Sequence, residues 1–234
     1  MLISFAAMAL ATVPSPPASV AVAFDRDGHV ETRVVEGMAD REAGRLLTAD
    51  DPVRIASVSK LVVALGAMRL VEAGTLDLDR DVSDYLGWRL RAPGHPDRPV
   101  TLTHLLGHRA GLTDNVNYAL PLDSDLETIL RDPAAWDGKR PPGGDFAYAN
   151  LNYPVIAAVI EAATGERFDR AMARLVLDPL GLDACFNWTT CSDAAVTRAV
   201  VLYGADGSVQ RDDIRGQRPA CPVVPATDGS CDVT

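Results

Sequence analysis

Hydrophobic positions change period several times along this chain, and each change marks an element. Ser19 to Phe24 and His29 to Val35 are β-branched, partly alternating runs joined by Asp25-Arg26-Asp27-Gly28, which predicts a β-hairpin. Polar residues from Ala39 to Asp51 then predict a loop. Beyond Arg54 the pattern becomes a long apolar run, Leu61 to Ala73, broken only by Arg69 and Glu72 and stopped by Gly74. A helix apolar on all sides is expected to lie in a core.

Gly74-Thr75-Leu76-Asp77-Leu78-Asp79 turns the chain, Val82 to Leu86 is short and either helical or extended, and Arg89 to Pro99 holds three prolines and reads as loop. Thr101 to His108 predicts a short helix capped by Thr101 or Thr103. Asp114 to Gly144 is a Pro- and Gly-rich excursion with one weak helix near Asp125 to Arg131, of a length that usually carries function or flanks a site. Two apolar helices follow, Tyr153 to Thr164, ended by Gly165, and Phe168 to Leu177, running into Asp178-Pro179-Leu180-Gly181-Leu182.

Composition narrows the classes. At 234 residues the chain is one large domain or two small ones, and its net charge of −10 argues against a nucleic-acid partner, whose binders carry basic faces. The N-terminal run Leu2 to Ala11 ends in Ala9-Leu10-Ala11, a small-x-small pattern, and precedes the breaker-rich Val13-Pro14-Ser15-Pro16-Pro17. Residues 1–17 are therefore read as a leader-like segment with a spacer and residues 18–234 as the working domain, in a periplasmic or secreted protein. The leader lacks a basic start, so a buried terminal strand or helix is the alternative. Cys185, Cys191, Cys221 and Cys231 cluster in the last fifty residues without a Cys-x-x-Cys pair, which favours disulfides over zinc. The expected pairs are Cys185 with Cys191 and Cys221 with Cys231.

The candidate chemistry lies in Ser57-Val58-Ser59-Lys60. Residues three apart share a helix face, so the Ser57 hydroxyl and the Lys60 amine can meet at the start of the apolar helix. There the unsatisfied N–H groups of the first turn favour a developing negative charge, and burial would favour a neutral lysine able to take the serine proton. Counting along the sequence gives twenty arginines against two lysines, Lys60 and Lys139. A site needing only positive charge would carry arginine, whereas a proton acceptor cannot be arginine. The bland alternative makes Ser57 an ordinary helix cap. His104 and His108, four apart, read as a structural pair rather than metal ligands, since no Glu of an HExxH motif and no third ligand accompany them.

Ser57-Val58-Ser59-Lys60 together with Tyr148-Ala149-Asn150 resembles the serine β-lactamase and penicillin-binding family, in particular its class C branch with the related esterases and D-alanyl-D-alanine peptidases. The wording around both motifs is similar as well, in Leu70 to Asp79, Leu102 to Leu112 and Pro179 to Leu182, so that the resemblance covers about residues 18–190. It implies an α/β (α+β) fold of the β-lactamase/transpeptidase type, a helical region packed on a mostly antiparallel sheet. It further implies a serine hydrolase without metal or cofactor, acting on a small molecule or a peptidoglycan peptide. Ser57 would be the acylated nucleophile and supply one oxyanion N–H. Lys60 would help to deprotonate it, Tyr148 would shuttle protons, and Asn150 would orient Lys60 and bind the substrate amide. The family's third motif, Lys-Thr-Gly or His-x-Gly, is not found after Cys191, so the resemblance implies that the closing C-terminal strands are missing. A penicillin-binding or peptidoglycan-recognising module with little turnover is the alternative.

Overall fold

The computed structural model describes residues 17–118 and 125–210. The leader-like run and the Cys221–Cys231 pairing lie outside the described residues. The described residues divide into two compact units, one of residues 17–53 and 197–210, the other of residues 54–118 and 125–196.

In the first unit, β1 (Ser19–Phe24) and β2 (Val30–Glu36) form the expected antiparallel hairpin, with a register shift between Ala21 and Val22. The Asp25 carboxylate closes its turn by accepting from the N–H groups of Asp27 and His29, and Gly28 takes φ +83°, a value that suits glycine. The stretch expected to be only loop holds a second antiparallel pair, β3 (Met38–Asp40) and β4 (Arg45–Leu46). These strands are too short to announce themselves as an alternating pattern. The returning segment joins this unit through Val200 N–H to the Pro52 carbonyl and Val201 N–H to the Ala39 carbonyl, both at 2.8 Å.

The second unit is helical. A single 3-10 turn, Ala56–Val58, leads directly into α1 (Ser59–Glu72). Then come α2 (Ser83–Leu86), α3 (Leu102–Leu106) with Thr101 as its cap, α4 (Leu126–Arg131) capped by Asp125, and α5 (Asn152–Thr164). α6 (Phe168–Met172) continues as a π-helical turn, Ala173–Leu177, and α7 (Asp193–Arg198) follows the Cys185–Cys191 disulfide, which is present as expected. On α5 the buried residues Asn152, Val155, Ile156, Val159 and Ile160 recur at i, i+3, i+4, i+7 and i+8, the stripe of a helix with one face in a core.

α1 departs from expectation. It buries Val63, Gly66, Ala67 and Leu70, while Leu61, Leu65 and Met68 on its other face are 65%, 47% and 45% exposed. Continuous apolarity read as burial all round, but one face alone packs into the core of the helical unit. That packing is close: a Cβ on Gly66 would lie 2.7 Å from the Sδ and Cε of the fully buried Met172.

Candidate active site

Every feature of the site lies in the helical unit and begins with how α1 starts. Ala56 holds φ +45°, a left-handed conformation that costs a non-glycine residue of the order of 1 kcal/mol. Neither the 3-10 turn nor α1 has a side-chain cap, so Ser57 does not serve as one. Its hydroxyl is instead directed at Lys60 and Tyr148. Lys60 lies about one turn before Val63 and two before Ala67, at the N-terminal end of the buried stripe of α1, and this carries its amine towards the start of α5.

The second wall is the irregular segment before α5. It is stitched to the chain after α3: Ala147 N–H donates to the His108 carbonyl at 2.9 Å, Gly143 N–H donates to the Arg109 carbonyl at 2.9 Å, and the Arg109 guanidinium donates to the carbonyls of Gly143 and Gly144, both at 2.7 Å. Gly111 is required there, with φ +80° and space for a Cβ only 2.4 Å from the Arg140 carbonyl oxygen.

The four residues that the sequence singled out meet. Lys60 Nζ donates to Ser57 Oγ at 3.0 Å and to Asn150 Oδ1 at 2.9 Å. Ser57 Oγ and Tyr148 Oη are 2.9 Å apart, and Tyr148 Oη donates to Asn150 Oδ1 at 3.1 Å. With Lys60 as an ammonium, the consistent assignment has Ser57 donating to Tyr148, because Ser57 already accepts from Lys60 and Tyr148 already donates to Asn150. Tyr148 is 50% exposed. The Lys60 ammonium, then the Ser57 hydroxyl, hold its phenol below the ordinary value of 10.0. A hydroxyl between an amine and an acidified phenol is an arrangement that can deprotonate a nucleophile and return the proton to a leaving group.

Three supporting residues were not given this role by the sequence. His108, read as paired with His104, takes φ +51° just after α3 ends, and its ring stacks on Tyr148 at 4.5 Å between centroids. Desolvation lowers its pKa, and Nδ1 accepts from the Ala149 N–H at 3.4 Å. Asn152, almost fully buried, lies 3.3 Å from the same nitrogen and donates to the Ala149 carbonyl at 2.9 Å. Asp114 accepts hydrogen bonds from Asn150 and Leu151. The available signal was weak: Asp114 opens the long excursion expected to flank a site.

Sequence comparison matches residues 16–226 to the profile of a family described as Beta-lactamase. Esterase EstB of Burkholderia gladioli is 36% identical over 178 residues, 68% of this chain and 44% of that protein. Penicillin-binding protein 4 of Amycolatopsis lactamdurans is 31% identical over 71% of this chain and 43% of its own length. Among solved structures, that of EstCE1, described as a hydrolase with promiscuous acyltransferase activity, superposes with a TM-score of 0.65 at 29% identity, covering 91% of this chain and 56% of that one. The chain thus spans less than half the length of these two curated relatives.

Proposed function

Because the chain belongs to the Beta-lactamase family, a family of serine hydrolases with an α/β (α+β) fold of the β-lactamase/transpeptidase type, we propose that it hydrolyses an amide or ester through an acyl-enzyme on Ser57. The observation that carries this reading is the Ser57 hydroxyl held at once by Lys60 Nζ and Tyr148 Oη. Ser57 Oγ attacks the carbonyl carbon, and its proton passes to the Lys60–Tyr148 pair. Tyr148 gives that proton to the departing nitrogen or oxygen, leaving an ester on Ser57. Water then attacks the ester with Tyr148 as base, and Ser57 recovers its proton. Asn150 holds Lys60 through Oδ1, and the first turn, through the Ser57 N–H, is suited to receive the oxyanion.

The substrate is a β-lactam, a D-alanyl-D-alanine peptide or a carboxylic ester. The relatives named as an esterase and a penicillin-binding protein support these classes. The Cys185–Cys191 disulfide supports an exported protein, and no helix among the described residues is long and apolar enough to cross a membrane. The direct assay compares hydrolysis of p-nitrophenyl acetate, a chromogenic cephalosporin and a D-alanyl-D-alanine peptide by wild type and Ser57→Ala. Ser57-dependent turnover of one of them is expected; turnover unaffected by Ser57→Ala overturns the assignment. A second reading, supported by the penicillin-binding relative, is a module that is acylated but releases product slowly. It predicts one equivalent of product per chain followed by a halt.

A further inference from the structure

One carboxylate at the site has no part in the cycle above. Asp114 Oδ2 accepts from the backbone N–H of Asn150 at 2.9 Å and from Asn150 Nδ2 at 2.8 Å, and Oδ1 accepts from the Leu151 N–H at 3.1 Å. An ionised carboxylate only accepts, so it requires the NH2 end of the Asn150 amide to face it. The oxygen end is thereby turned towards Lys60 Nζ and Tyr148 Oη, which both donate to it. Lys60 as an ammonium only donates, and the reversed amide would set NH2 against NH3. Asp114 and Lys60, each able to satisfy one end, together leave a single orientation for Asn150.

We propose that Asp114 is a positioning residue for acylation, fixing the Asn150 amide in the orientation that holds Lys60 against the Ser57 hydroxyl. This rests on the Ser57 acyl-enzyme reading. Two of the three bonds go to backbone N–H groups and would suit a loop-anchoring residue; the third, to the side-chain amide, reaches the reacting groups. Lys60 is faced by Ser57 from the turn that leads into its own helix and by Asn150 from the segment opposite. The rings of Tyr148 and Tyr153 each lie 5.2 Å from its Nζ, and the His108 ring and the Asp114 carboxylate complete the same cluster.

The test uses the full chain with Asp114→Ala, Asp114→Asn, Asn150→Ala and the Asp114→Ala/Asn150→Ala pair. Acylation by p-nitrophenyl acetate is read as kcat and KM. The surroundings of the Lys60 amine are followed at one fixed pH by 13C NMR of the lysine ε-carbons, where only two lysines resonate. Asp114→Ala is expected to lower kcat about 10- to 100-fold with little change in KM, the cost of a small misplacement of reacting groups. It should also shift the Lys60 ε-carbon resonance while leaving that of Lys139 in place, because the Lys60 amine loses a fixed acceptor. Asp114→Asn, which still offers an oxygen to the Asn150 amide, should recover part of kcat. In the Asn150→Ala background, adding Asp114→Ala should cost less than about threefold, since the two act as one unit. Fully additive losses, or an unmoved Lys60 ε-carbon resonance in folded Asp114→Ala, overturn the proposal. If wild type shows no Ser57-dependent acylation, the acyl-enzyme reading fails, while the Lys60 ε-carbon resonance still decides whether Asp114 acts on Lys60.

Discussion

At Lys60 the chain uses one of its two lysines where an arginine would meet any need for charge alone. Lys60→Arg therefore separates the two demands. It keeps a cation near Tyr148 but takes the amine out of the Lys60–Tyr148 pair that receives the Ser57 proton, so acylation should fall about 10²- to 10⁴-fold in stopped-flow measurements while the protein stays folded. Tyr148→Phe should give a similar loss, and its half-exposed ring makes a large effect on stability unexpected. The wild-type pH profile follows from the sign of the Tyr148 shift. Its pKa lies below 10.0, the reactive form is the phenolate, and so the rate should rise with pH along a limb with its midpoint below 10.0 that disappears in Tyr148→Phe. Ser57 and Lys60 were legible from residue type and their short spacing, whereas Tyr148 and Asn150 came only through the resemblance carried by Tyr148-Ala149-Asn150. Asp114 and His108 were not legible, because their roles depend on where the chain folds back after α3, and no local period encodes that.

Helix α1 shows how far an element can be read from its own pattern. Its existence and its end near Gly74 followed from the sequence, as did the meeting of Lys60 with Ser57, which lies in the 3-10 turn just before it, whereas its one-sided burial is set by tertiary neighbours. Replacing Gly66 with valine would drive two further carbons at Met172 and Val176 and should cost about 1–3 kcal/mol by overpacking. Leu65→Gln on the exposed face should stay within about 0.5 kcal/mol. Urea unfolding of both variants compares the two faces directly, and equal losses would contradict the one-sided packing. Helix α5 was legible because its apolar repeat is long, and the helix expected over Phe168 to Leu177 is found as α6 with its π-helical continuation, while β3 and β4 were not legible, since strands of three and two residues leave no repeat to detect.

For the molecule as a whole, His104 and His108 both have pKa values lowered by burial. Each therefore binds a proton less readily folded than unfolded. Their contribution to stability is complete above the ordinary value of 6.5 and is lost as pH falls through the folded values. The melting temperature should decline from about pH 6.5 downward, and His108→Asn should flatten part of that decline. Chain length bears on activity at the same scale, since the sequence covers 44% and 43% of the two curated relatives compared. On the proposed reading, the groups that would carry acylation are those gathered between α1 and the segment before α5. The central claim is thus tested most directly by intact-mass spectrometry after incubation with a fluorescent penicillin and, separately, with p-nitrophenyl acetate, on wild type and Ser57→Ala. A single adduct on wild type that is absent from Ser57→Ala is the predicted result, and its decay or persistence separates hydrolase from binder. A folded wild-type sample that gains no adduct and hydrolyses neither reagent, or an adduct retained by Ser57→Ala, would contradict it.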